Sequence, residues 1–168
     1  MKAGTPGQMI SLVLFALLAV VFLIPFLYGP GTFADLDGTS GVLDHKWSPG
    51  QFIYLLGDML CHQEMSRSFM SNGSQPAFCT RDIGIIAGIA ATLALTYRLA
   101  EGPVLTDRKT LIAGILFLLI MAAEWAAGMF IGYDLKYLRL ASGVLGGAGI
   151  ALIMQNLIVG IWKGEGVS

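Results

Sequence analysis

At 168 residues, with 55% hydrophobic and only 12% charged side chains, the chain is too apolar for an ordinary soluble domain, which carries about twice that charged fraction. Ten basic and eleven acidic residues leave a net charge of −1, so there is no basic surface for nucleic acid. The apolar residues fall in four runs, 9–27, 83–99, 111–131 and 140–161, each near the roughly 20 residues that carry a helix across a bilayer. The expected fold is an all-α membrane protein: a single integral domain over residues 1–168, with four transmembrane helices and one short interfacial helix.

The first run is not read as a secretory signal. Only Lys2 precedes it, no Ala-x-Ala cleavage pattern follows, and its apolar core exceeds the roughly 7–15 residues of a signal. It reads as a retained span, bent at Pro25 and ended by Gly29-Pro30-Gly31. An acidic loop follows, in which His45, between Asp44 and Lys46, reads as a solvated residue with a smaller claim to be a ligand. A helix then starts on a capping box, with Ser48 as N-cap, Pro49 at N1 and Gln51 at N3. Phe52, Leu55, Leu56, Met59 and Leu60 make one apolar stripe at helical spacing. This helix, 49–62, is too short to span, and is expected at the interface or packed over the bundle. Residues 63–78 are irregular, with Ser-Asn-Gly-Ser and Gln-Pro as turn material.

Three further helices follow, joined by short links at 100–107 and 132–136, so that successive helices are expected as antiparallel neighbours. Gly84-x-x-x-Gly88, Gly128-x-x-x-Gly132 and Gly143-x-x-x-Gly147 let helix backbones approach closely in lipid; packing within one chain is the expected use, ahead of an oligomer face. Gln155 is a candidate hydrogen-bond partner between helices, and Trp47, Trp125 and Trp162 are interface or packing aromatics. With the N-terminus inside, basic residues divide five against five: Lys2, Arg98, Arg108, Lys109 and Lys163 against Lys46, Arg67, Arg81, Lys136 and Arg139. Arg67 and Arg81 lie in a polar stretch that the fold can hold, which tips the count. Both termini are therefore expected in the cytoplasm, with 29–82 outside the cell membrane.

That polar stretch, "DMLCHQEMSRSFMSNGSQPAFCTRDIG", holds both cysteines of the chain and one of its two histidines. Cys61 and His62 are adjacent, and Cys79 and Asp82 are three apart. Thiolate, imidazole and carboxylate form a ligand set for zinc, and also suit iron or copper. Asp58, one helical turn before His62, is placed to accept a ring N–H and orient the imidazole. "CTRD" ends where a span begins, and a helix N-terminus favours anionic groups. Spacing alone leaves a Cys61–Cys79 disulfide standing level with a metal site, with two free thiols third.

"CHQEMSRSF" followed by "QPAFCTRDIGIIAG" resembles a family of small polytopic membrane proteins known as a domain of unknown function. Its signature reads Cys-His-Gln, then Arg-Ser-Phe, then a Gln-x-Pro approach to Cys-x-Arg-Cys-Gly-Ile. Cys61, His62, Gln63, Arg67, Ser68, Phe69, Gln75, Pro76, Cys79, Arg81 and Gly84 match it, and 139–147 looks like the family's last helix. The resemblance covers about the last two-thirds of the chain. Asp82 stands where the family tends to have a further cysteine. A third cysteine in the family implies metal ligation rather than a simple disulfide, with Cys61, His62, Cys79 and Asp82 as ligands here and zinc as the first metal. The resemblance carries no activity with it.

Glu124 stands inside the third span, where a carboxylate is costly and is read as functional by default. The competing reading is a structural carboxylate paired with Arg81 or Arg139, or one neutralised by desolvation; Tyr133, Asp134 and Arg139 close the same end. Two functions follow. One is a membrane metalloprotein acting on an interfacial substrate, in which Arg67 and Arg81 bind an anionic group and Glu124 moves a proton. The other is a non-catalytic subunit or assembly factor of a larger membrane complex, with a disulfide cap. Membrane lipid is a partner in both, with a homo-oligomer or a larger complex as further partners. A transporter comes third, because the spans hold too few polar groups to line a path.

Overall fold

The computed structural model describes residues 6–39, 41–43, 45–99, 108–132 and 135–164. Five α-helices follow in order: α1 (Pro6–Leu23), α2 (Phe52–Leu60), α3 (Thr80–Leu99), α4 (Arg108–Ile131) and α5 (Lys136–Gly164). Short 3-10 turns cover Ile24–Leu27, Pro49–Gln51 and Met65–Arg67. Among the described residues three stretches, Gly7–Leu27, Arg108–Ile131 and Lys136–Leu157, are long and apolar enough to cross a membrane. The fourth expected span, 83–99, lies in the 20-residue α3, whose first turn carries Arg81 and Asp82 and which falls outside that set.

The breaks fall where the chemistry requires them. The α-helical ladder of α1 gives way at Ile24, one residue before Pro25, because proline offers no N–H to continue it. The expected capping box is present, the Ser48 N–H donating to Gln51 Oε1 at 2.9 Å, and the 3-10 turn Pro49–Gln51 leads into α2. α2 stops at Leu60, short of the expected 62. Gly132, at φ +73°, ends α4 as a left-handed cap, its N–H bonding the Gly128 carbonyl at 3.2 Å. That gives Gly132 a role at the helix end, where a Cβ would meet no atom within 4 Å.

Glycine also decides which helices touch. A Cβ at Gly84 would stand 2.5 Å from the Leu140 carbonyl oxygen, and one at Gly88 would overlap that of Val144. Gly143 and Gly147 meet the backbone of Arg81 and Ile85 in the same way. The two small-residue motifs thus pack face to face, and the numbers rise together, so α3 and α5 run parallel. α4 runs antiparallel to α5, with Gly114 against Gly149, Met121 against Gly146 and Glu124 against Ser142. α1 runs antiparallel to α3: the Ser11 hydroxyl donates to the Ala90 carbonyl at 2.8 Å, while Val21 and Ile24 share a core with Ile83. The packing order is α1, α3, α5, α4. α3 and α4, expected as neighbours, meet through the Arg81–Glu124 pair, while the larger contacts of both are with α5. Near the far end, Gln155 donates to Thr96 Oγ1 at 2.8 Å, the interhelical bond anticipated for it.

The described residues between 28 and 79 form a crown over the end where α1 finishes and α3 and α5 begin. Its core is aromatic: Phe33 stacks on Tyr54 with centroids 4.0 Å apart, flanked by Tyr28 edge-on and by Trp47. Asn72 and Gly73, both at positive φ, make a tight turn between Ser71 and Ser74 of the Asn-Gly kind. The Asn72 amide binds the Pro25 carbonyl at 2.9 Å and ties the crown to the end of α1.

Candidate metal centre

α2 and α3 each deliver one cysteine. The Cys61 N–H still bonds the Gly57 carbonyl at 2.8 Å, but its backbone has turned extended, at φ −135° and ψ 150°. Cys79 is the residue before α3, and its carbonyl accepts the Ile83 N–H at 3.0 Å. Asp82 follows in the first turn, where the free N–H groups of the helix favour negative charge. The Cys79 N–H points at Cys61 Sγ from 3.4 Å, and Cys79 Sγ lies 3.1 Å from Asp82 Oδ2. Ligand atoms of Cys61, Cys79 and Asp82 all fall within 4.8 Å of one another. Donors on one tetrahedral zinc stand about 3.5–3.8 Å apart, given Zn–S near 2.3 Å and Zn–O near 2.0 Å. The three side chains form a group that could hold such an ion.

The electrostatics of the pair are polarised. The hydrogen bond between the sulfurs draws the Cys79 thiol below its ordinary pKa, against the opposing effect of burial. The same bond, then burial and the negative charge of Cys79 and Asp82, push Cys61 up. Burial and the Asp82 carboxylate oppose ionisation of both thiols, and a cation is the partner that would relieve that opposition. Both cysteines are free.

Two buried amides hold the site's walls together. Gln63 Nε2 donates to the Ala77 carbonyl at 2.9 Å, Gln75 Nε2 donates to the Gln63 carbonyl, and the Leu36 N–H bonds Gln75 Oε1 at 3.0 Å. The Tyr54 hydroxyl donates to the Gln75 carbonyl at 2.7 Å. A Cβ at Gly57 would overlap the Ala77 carbonyl oxygen, so only glycine lets the segment entering Cys79 pass this close to α2. Sequence reasoning quoted both glutamines within a motif but gave them no role. Nothing local marks an amide for burial; the bonds run between segments 12 to 39 residues apart.

His62 does not join the site. It is exposed and outside the three-residue group, because neighbours on an extended backbone point to opposite sides and Cys61 points in. Its carbonyl serves the crown by accepting the Gly38 N–H at 2.8 Å. Asp58, expected to orient His62, serves His45 and Trp47 instead. Buried, it accepts the His45 N–H at 3.1 Å, pairs with His45 Nδ1 at 3.3 Å and accepts the Trp47 indole N–H at 2.9 Å. Burial alone would raise its pKa, but the bonds from Trp47 and His45 outweigh that and hold it below the usual value. His45 is accordingly half-buried rather than a solvated loop residue.

Arg81, between Cys79 and Asp82 in sequence, turns into the bundle and meets Glu124 of α4 with Nη2 and Oε2 2.6 Å apart. The Ser142 hydroxyl of α5 donates to the same Glu124 oxygen at 2.9 Å, a contact the sequence did not suggest. Arg139 is buried at this end of α5; Tyr133 and Asp134 lie outside the described residues. Arg67 makes a surface pair with Glu64 at 2.9 Å, and its carbonyl accepts the Thr80 hydroxyl at 3.0 Å. Lys136 reaches over to the Ser68 carbonyl at 2.8 Å, fastening α5 to the crown.

No curated protein and no solved structure matches the chain. A family model described as "Predicted membrane protein (DUF2085)" matches residues 61–153, which begin at Cys61 itself and run through the cysteine site, the Arg81–Glu124 pair and most of α5. The chain belongs to that family of membrane proteins.

Proposed function

We propose that the protein is a membrane metalloprotein that holds a transition metal, zinc first, through Cys61, Cys79 and Asp82 at the extracytoplasmic end of a four-span bundle. The observation that carries this reading is the convergence of three ionisable donors from two elements within 4.8 Å. Three protein ligands leave a fourth position for water or substrate, where a metal supplies Lewis-acid polarisation. A metal-dependent reaction on an interfacial substrate is the enzymatic form of this reading. In that form Arg81 and Glu124 act from beneath, with Arg81 fixing the turn that presents Cys79 and Asp82, and Arg67 offers its guanidinium at the surface.

Four crossings are supported by the length of α3, about 30 Å at 1.5 Å per residue, and by its alignment antiparallel to α1 and parallel to α5. The basic residues support the N-terminus inside. Of the five at the crown end, Arg81 is ion-paired, Arg139 is buried and Lys136 and Arg67 are bonded within the fold, whereas Arg108 and Lys109 at the other end are exposed.

The test is elemental analysis of purified protein together with thiol counting without reductant. About one metal per chain, absent from Cys61→Ser and Cys79→Ser, supports the site. The second reading, a non-catalytic subunit whose crown is closed by a disulfide, draws on the same proximity of the sulfurs. Metal-free protein with no titratable thiol would favour it.

A further inference from the structure

The apolar stripe on α2 faces outward. Ile53, Tyr54, Gly57 and Asp58 are buried, while Phe52, Met59 and Leu60 are 59%, 49% and 67% exposed, with Leu55 and Leu56 half-buried between them. At 100° per residue, Phe52, Leu55, Leu56, Met59 and Leu60 occupy one continuous arc, and no polar side chain interrupts it. The helix's single charged residue, Asp58, lies on the inner face. This inverts the soluble pattern, in which the apolar arc of a helix is the buried one. The Gly41 N–H bonds the Met59 carbonyl at 3.1 Å, which sets the exposed Val42 and Leu43 beside the same arc.

The fold fixes the level at which this surface sits. The start of α2 lies by the end of α1, where an atom added to Gly50 would stand 3.1 Å from the Tyr28 hydroxyl. Its end lies by the start of α3, where the Cys79 N–H reaches Cys61 Sγ. α2 therefore runs from the outer end of one helix to the outer end of the next, at the boundary where spans leave the bilayer. At that boundary the turn after α1 also presents Phe26 and Leu27, 60% and 80% exposed.

We propose that α2 and the 41–43 turn are seated in the outer leaflet, with this arc among the acyl chains near the headgroups. The bilayer is the occupant because the arc continues the exposed apolar surface of α1 and lies at the same depth. This seating does not depend on a metal. Its consequence for Cys61, next after Leu60, is that the cysteine site opens at headgroup depth, where amphiphilic molecules collect.

The experiment uses the native chain in lipid nanodiscs with its methionine methyls labelled for NMR, the Met59 signal being assigned by its loss in Met59→Leu. A lipid carrying a nitroxide near its headgroup should broaden Met59 several-fold more than a water-soluble gadolinium chelate does, as it should Met129 on the exposed surface of α4. Stronger broadening by the chelate would place the arc in water and overturn the proposal. Protection of Met59 from both agents would also overturn it, because the arc would then be covered by a second copy or another protein. Metal content plays no part in either readout, so the lipid seating and the metal site fail separately.

Discussion

Removing the Glu124 carboxylate would leave the partly buried Arg81 guanidinium beside a neutral amide. Glu124→Gln should therefore destabilise the protein by about 3–5 kcal/mol, and the double change Arg81→Met with Glu124→Gln should cost less, since no charge is stranded. Unfolding in mixed detergent would show it; equal stability of wild type and Glu124→Gln would leave the pair without a structural role. Asp58 makes a prediction in pH. A carboxyl whose folded pKa is depressed adds stability that is complete above its unfolded value, about 3.9, and is lost as pH falls further. The stability gap between wild type and Asp58→Asn should shrink only below that pH, and a gap unchanged in acid would exclude the bonds from Trp47 and His45 as its origin. His62→Ala should keep whatever metal Cys61, Cys79 and Asp82 bind, because His62 is outside their reach. The two cysteines and Asp82 were legible as a candidate ligand group from residue type, and the fold brings them within 4.8 Å of one another. The outward turn of His62 was not legible, because it depends on α2 ending two residues earlier, at Leu60, and on Cys61 turning extended.

The elements owe their arrangement to a few positions without side chains. Gly88→Val and Gly147→Val drive atoms into the Val144 and Ile85 carbonyls, and overpacking of this kind costs about 1–3 kcal/mol when the backbone has to shift. Both should lower thermal stability, and both should weaken the site, because the same contact aligns the starts of α3 and α5 under Cys79 and Asp82. Gly132→Ala meets no atom within 4 Å and should cost only the strain of a left-handed alanine, about 1 kcal/mol. A Gly132→Ala loss larger than that of Gly88→Val would contradict the packing described for α3 and α5. The sequence showed which glycine pairs were available but not which would meet, since a short link between helices says nothing of the larger contact that α3 makes with α5. For α2 the periodicity was legible and its direction was not. An apolar arc reads the same whether a core or a lipid leaflet covers it.

At the scale of the molecule, the order α1, α3, α5, α4 puts the crown, the end of α4 and the start of α5 at one end, and the end of α3 and the start of α4 at the other. If all four long helices cross, Ser40 and Asp107 lie on opposite sides of the membrane. Three candidate spans were legible because length and apolarity are properties of the chain itself; sidedness was not, because five basic residues stood on each side. Single cysteines at Ser40 and Asp107, in a Cys61→Ser, Cys79→Ser background, should separate the possibilities. An impermeant maleimide added to intact cells should reach the Ser40→Cys protein at once and the Asp107→Cys protein only after lysis. The reverse pattern would keep four spans but turn the crown to the cytoplasm, where reduced thiols are normal and a Cys61–Cys79 disulfide would lose its rationale while the metal site would not. Labelling of both positions from one side would remove α3 as a span. Arg81 and Glu124 would then have to meet without the bilayer around them, and the cost assigned to stranding either charge would fall.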